Sequence, residues 1–193
     1  MPIRRLVLLL VLTSLSCRKP PAQPMQTGAR GEDATLGTVA NDSLARAAAQ
    51  FTQAFYDWYH EHDDRFDRAI AERPSAFAPE LLKALRDDLA ASAKSPSEIV
   101  GLDWDPFTAS QDPCDPYEVD RTTRRGDTVL VAVKRACAAA ALHPGPDIIA
   151  KLTHAGPTWV FVDFRHAGDT GTLLRDLATL RAGRDSATGR ARQ

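Results

Sequence analysis

The strongest constraint on this chain is a change of hydrophobic period along its length. From Leu44, apolar residues recur at Ala48, Phe51, Phe55 and Trp58, steps of three and four that place one stripe on a helix face. From Val129 the period is two: Val129, Val131 and Val133 alternate with Leu130 and Ala132, as in a strand covered on both faces. Helices first and antiparallel strands afterwards layer as an α+β domain, not as a parallel nucleotide-binding sheet.

The remaining elements follow from local signals. Asn41, Asp42 and Ser43 offer a cap to the first helix, which ends near His62. A short helical piece is expected at Phe66 to Glu72, before Pro74. Pro79 opens the next helix, where a missing N–H costs nothing, and Glu80 suits its positive end. That helix shows Leu81, Leu82, Leu85 and Leu89 on its face. Tyr117 to Arg124 and Thr128 to Cys137 read as a hairpin around Arg125-Gly126-Asp127. Ile148 to Thr153 and Thr158 to Phe164 read as a second around Ala155-Gly156-Pro157. A C-terminal helix, Thr172 to Ala182, buries Leu173, Leu174, Leu177 and Leu180. The domain so defined is 41–183, and the basic, Gly- and Ser-containing stretch 184–193 reads as a disordered tail.

Residues 1–16 read as a secretory signal: Arg4 and Arg5, then the apolar run Leu6 to Leu12, then small residues up to Cys17. Seven apolar residues make about 10 Å of helix, too short to span a bilayer. Thr13-Ser14-Leu15-Ser16-Cys17 resembles the lipobox of bacterial lipoproteins, departing from it by Ser14 where that family prefers Leu. The resemblance implies cleavage before Cys17 and its lipidation, a membrane partner through the lipid, and a domain facing the periplasm. Arg18 stands where the family's inner-membrane retention signal has Asp, which implies the outer membrane. Residues 17–40 are rich in Pro, Gly, Gln and Thr and read as a flexible tether. Of the 24 Lys and Arg, the signal removes two, leaving 22 against 25 acidic residues. That balance argues against a nucleic-acid partner.

Export places the other cysteines in an oxidising compartment. A hairpin centred between Arg125 and Gly126 sets Arg124 opposite Asp127 and Cys114 opposite Cys137. Directly opposed residues lie within disulfide reach, and such a link stabilises by roughly 3 kcal/mol. The alternative is two buried thiols. No C-x-x-C spacing suggests redox chemistry.

Three segments taken together carry a further resemblance: Phe55-Tyr56-Asp57-Trp58-Tyr59; Asp105-Pro106-Phe107 with Gln111-Asp112; and Trp159-Val160-Phe161-Val162-Asp163 before a Leu-rich helix. In this order, over Ala48 to Ala182, the chain resembles a family of bacterial exported and lipoprotein domains of unknown function. That family is related in outline to the nuclear transport factor 2-like cone fold. The resemblance implies a curved antiparallel sheet with helices across its concave side, enclosing a pocket, and brings no activity. The cysteine pair and the run Ala136 to Ala141 depart from the family.

Candidate binding residues follow. Phe55 and Trp58 belong to the core stripe, whereas Tyr56 and Tyr59 lie off it with polar tips suited to a pocket or partner. Asp57 sits between them. The acidic loop offers Asp103, Asp105, Gln111, Asp112 and Asp115, but not the spacing of a calcium loop. On a helix, His60 and His62 point apart and only His60 aligns with Asp64, so no metal site is expected. Asp163, in an apolar strand with Trp159 and Phe161, is expected to be buried with a hydrogen-bonding partner. No serine sits in a G-x-S-x-G turn, and no cofactor motif occurs. Three readings remain open. One is a binding or interaction module for a small ligand or an envelope protein. Another is an acid–base enzyme, an isomerase or hydrolase, using Asp163 or the acidic loop. The third is a passive structural component of the envelope, held near the membrane or wall.

Overall fold

In a computed structural model, residues 34–95, 98–111, 116–137 and 145–190 are described, with side chains from 43 to 187 within those ranges. Helices come first, α1 (Ala34–His60), α2 (Phe66–Glu72) and α3 (Pro79–Ser92). Four strands follow, β1 (Tyr117–Arg125), β2 (Thr128–Arg135), β3 (Ile148–Ala155) and β4 (Thr158–His166), and α4 (Leu173–Arg190) closes the series. The strands pair in sequence order as one antiparallel meander. The fold class is α+β, with helices on a curved antiparallel sheet and a helix at the C-terminal end. Among the described residues, no helix is long and apolar enough to cross a membrane.

Three differences from the sequence-based expectation are informative. First, α1 already runs from Ala34, so Asn41 to Ser43 lie inside it rather than capping it, and the helix takes in the end of the expected tether. Its fully buried line is Ala48, Thr52, Phe55, Tyr56 and Tyr59, rotated away from Phe51 and Trp58, which are only half-buried. Thr52 is tolerated there because its hydroxyl donates to the Ala48 carbonyl, 2.9 Å away. Trp58 instead sits at the rim, stacked on His62 at 4.3 Å with the Arg73 guanidinium 4.5 Å above its ring.

Second, the hairpin register differs. Arg125 pairs with Thr128 around the two-residue loop Gly126-Asp127, where Gly126 takes a φ of 60°. Arg124 therefore faces Val129, two places beyond the expected Asp127. An irregularity between Val119 and Arg121 returns one place, so that Tyr117 faces Arg135. The pairing continues to an Ala136 N–H donated to the Pro116 carbonyl, 2.7 Å.

Third, residues 184–190 of the expected tail belong to α4. Arg184 in α4 donates to Asp88 of α3 at 2.7 Å and to the Val100 carbonyl at 2.7 Å. Asp88 is 1% exposed, and its other oxygen accepts the Leu102 N–H at 2.9 Å. Gly101 is packed so closely there that a Cβ would lie 2.6 Å from the Asp88 carboxylate. The last turns of α4 are thus held by charge rather than by apolar burial, since Leu173 and Leu177 are its buried leucines while Leu174 and Leu180 are half-exposed. A chain ending at residue 183 should lose roughly 3 kcal/mol relative to the full chain, and Arg184→Ala should reproduce most of that loss in urea unfolding. Equal stabilities would show that residues 184–190 are ornamental.

Candidate functional site

The segments singled out in the sequence meet at the end of α1. Phe107 is fully buried and inserts between α1 and the sheet, 5.4 Å from the Phe55 ring, 5.5 Å from Tyr59 and 5.2 Å from Phe164. Phe55 in turn meets Phe161 at 4.9 Å. The inner side of the sheet, where a cone-like fold would hold its pocket, is occupied here by these rings.

The loop carrying Phe107 is pinned through its polar atoms. The Tyr56 hydroxyl donates to the Phe107 carbonyl at 2.7 Å. His166 places Nε2 3.0 Å from the Pro106 carbonyl, a contact that an N–H donor satisfies. Asp105 accepts the Phe107 and Thr108 N–H groups at 2.9 and 2.8 Å and the Thr108 hydroxyl at 3.0 Å, all on Oδ1. Its Oδ2 meets the Tyr59 hydroxyl, which also lies 2.8 Å from the Asp64 carbonyl.

Tyr59 has one hydroxyl proton for these two oxygens. A carboxyl that keeps its proton satisfies both: Asp105 donates to Tyr59, and Tyr59 donates to Asp64. Burial pushes the Asp105 carboxyl above its ordinary value, opposed in part by its contacts with the Tyr59 hydroxyl and with the Phe107 and Thr108 donors, which favour the ionised form. Burial likewise raises the Tyr56 and Tyr59 hydroxyls, with the nearby Asp105 adding to the shift. Both phenols therefore stay neutral.

Tyr56 and Tyr59 are thus core residues, 3% and 0% exposed, and not the accessible pocket or partner residues that their position off the Leu44–Trp58 stripe suggested. The physical reason is the rotation of the buried face of α1 described above. Asp57 is exposed and accepts from Gln53 at 2.8 Å. Gln53 escaped the sequence reading: it donates to the Tyr117 carbonyl and accepts the Val119 N–H, 3.1 and 2.9 Å, acting as a partner to the edge of β1. Gln111 is exposed and donates to the Asp103 carbonyl at 3.1 Å. Asp112, Asp115, Cys17 and Cys114 lie outside the described residues. Cys137 follows β2 and is half-buried. His60 and Asp64 align as expected, 3.7 Å apart.

Asp163 has a partner, but not on the face anticipated. The β3–β4 register shifts between Lys151 and Leu152, so Phe161 faces Leu152 while Asp163 faces Lys151. The extra residue, Val162, turns Asp163 away from the face of Phe161. Its Oδ1 accepts the Phe164 N–H at 2.9 Å and the Leu174 N–H at 3.1 Å, which satisfies a donor in the first turn of α4.

An open cleft of about 450 Å³ lies between the segment Gly101 to Trp104 and the start of α4, walled by Trp104, Asp103, Asp169 and Asp176. His166 backs it: the Trp104 ring meets the imidazole edge-on at 4.6 Å, and Nδ1 lies 3.6 Å from Asp169. Among the described residues, no group of three or more His, Cys, Asp or Glu side chains is placed to hold a metal ion. In comparisons with protein-family models, curated proteins and solved structures, the chain matches none of them.

The raised Asp105 fixes the sign of a pH effect. The folded protein binds its proton more tightly than the unfolded chain does, so this group's contribution is greatest below its unfolded value near 4. It is lost as pH rises from there to the folded value. Asp105→Asn keeps the oxygen acceptor and a donor toward Tyr59, so it should flatten that slope and leave the protein at least as stable at pH 8. Tyr59→Phe should cost about 1–3 kcal/mol at any pH by stranding its partners. Urea unfolding between pH 4 and 8 reads both; a marked loss at pH 8 in Asp105→Asn would show that the ionised carboxylate is the working form.

Proposed function

We propose that this chain is a lipid-anchored envelope protein whose domain binds a ligand or partner rather than catalysing a reaction. One observation carries the reading. Asp105 and Asp163, two of the carboxylates that an acid–base mechanism would recruit, are both engaged by backbone N–H groups that hold a loop and start a helix. A general acid or base must instead reach a substrate proton. Among the clefts of the described residues, the one beside Trp104 combines carboxylates with an indole, which suits a small cationic molecule.

The lipid on Cys17, the tether behind it and an outer-membrane location belong to the same proposal, as does kinship with exported lipoprotein domains of the cone fold. So does a Cys114–Cys137 disulfide. Its support is the hairpin, which stays paired as far as Pro116 and Ala136, the one two residues after Cys114 in sequence and the other next to Cys137.

The experiment is thermal unfolding of the piece Lys19–Gln193, which retains every described element, against spermidine, betaine and calcium chloride. A cation at about 100 times its dissociation constant should raise the midpoint by about 5–10 °C. Asp103→Asn with Asp176→Asn should abolish the rise. A flat panel, or a rise that survives the double variant, would sink the cleft as the site. Separately, Cys17→Ser should move the full chain from the membrane to the soluble fraction, and reduction of the wild type should cost roughly 3 kcal/mol of stability if the disulfide is present.

A further inference from the structure

The outward face of the sheet has a composition unlike the rest of the molecule. Register places Arg121 and Arg125 of β1, Lys151 of β3 and Arg165 of β4 on that face, opposite in side to the buried Val129, Val131, Ile148 and Leu152. All four cations are exposed. No ion pair joins Arg125, Lys151 or Arg165 to a carboxylate among the described residues, while Arg121 lies 3.2 Å from Asp120. Between them, Leu130 and Ile149 are half-buried and line a shallow groove of about 180 Å³ with Arg125, Lys151 and Arg165, and Asp163 is the one carboxylate in its wall. Three carboxylates reach the same face. Asp163 accepts the Phe164 and Leu174 N–H groups, Glu118 stands opposite Lys134, and Asp120 lies 3.2 Å from Arg121 and 3.8 Å from Lys134. Helix α1 does not compete for this surface, since its rings pack on the other side of the sheet, while Thr172 and the start of α4 border the groove.

A chain with a small net negative charge therefore places three cations without an ion-pair partner among the described residues, Arg125, Lys151 and Arg165, around an apolar strip on one face of the sheet. We propose that this face docks on an anionic phospholipid surface, with Arg125, Lys151 and Arg165 meeting the phosphates and Leu130 and Ile149 facing the interface. Charge complementarity is the argument. Each cation within a Debye length of an anionic leaflet adds to the attraction, and apolar side chains framed by Arg and Lys suit the headgroup boundary. The choice of a membrane over another polyanion rests on the proposed lipid anchor, whose tether would keep this face within reach of a bilayer.

The test uses the piece Lys19–Gln193, which carries no Cys17, so the anchor and the docking face fail independently. Sedimentation is measured with phosphatidylcholine vesicles, alone and with about a third phosphatidylglycerol, at low and high salt. Binding should require phosphatidylglycerol and fall steeply with salt. Each cation near the surface accounts for roughly a fivefold change in binding, so Arg125→Gln, Lys151→Gln and Arg165→Gln together should weaken it by about a hundredfold. A charge-matched control, Arg68→Gln, Lys83→Gln and Arg175→Gln, should stay within about threefold of wild type, and thermal unfolding reports whether either triple variant is folded. Absence of binding at low salt, equal binding to neutral vesicles, or equal weakening by the control would overturn the proposal. A lipidated full chain found in the membrane would not rescue it.

Discussion

The structure depends on one apolar insertion, the Phe107 ring driven between α1 and the sheet. It meets Phe55 and Tyr59 on the helix, Phe77 before α3, and Phe164 on β4. A helix layer and a sheet layer are thereby joined through a loop residue, not only through their own side chains. Edge-to-face contact dominates around Phe55, whose plane is near perpendicular to Phe77 and Phe107. This geometry lets electron-poor ring edges meet electron-rich faces and fixes rotamers more tightly than aliphatic packing would. A loop that enters a core brings backbone polar groups with it, and each must find a partner. That requirement explains Tyr56, Tyr59, Asp105 and His166, whose polar atoms end on loop atoms or on the turn after α1. Their burial is a consequence of Phe107.

The same logic recurs wherever the chain changes direction. Asp147 accepts the Arg135 N–H at 2.8 Å and two guanidinium bonds at 2.9 and 2.6 Å, tying the end of β2 to the start of β3. Asp88 joins α3, the segment at Leu102 and α4. In each case a carboxylate collects donors from segments distant in sequence, and in each the cost of burying charge is offset by bonds that only the native arrangement supplies. These joints specify how the elements meet more than they add net stability.

Much of this was legible. Periods of 3.6 and 2 gave the layers, Pro79 the start of α3, and the two glycine turns the hairpins. The aromatic and Asp-Pro-Phe segments pointed to residues that do come together. What stayed hidden was governed by tertiary pairing. Sequence reads Asp88 as one more charge on a helix, yet Leu81, Leu85 and Asp88 lie at steps of four and three on one face, a spacing that foretells its burial. Asp163 was placed on the wrong face because alternation was carried through Val162. The available signal was Phe161 and Phe164, three apart in a strand whose faces should repeat every two. The end of α4 looked like a tail because composition cannot show that Arg184 reaches Asp88.

The irregularity at Val162 also decides how the sheet is divided. Without it, strict alternation would either turn Phe164 outward with Asp163 in the core, or turn Phe161 outward beside Asp163. With it, both rings face inward and Asp163 reaches the N–H of Leu174 at the edge of the sheet. The comparable irregularity between Val119 and Arg121 keeps Val119 opposite the buried Val133 while Arg121 stands opposite Ala132 on the other side. Two single-residue insertions thus sort one sheet into an aromatic and aliphatic inner face and a basic outer one. A chain of nearly balanced charge acquires a polarised surface through register alone, which composition averages away.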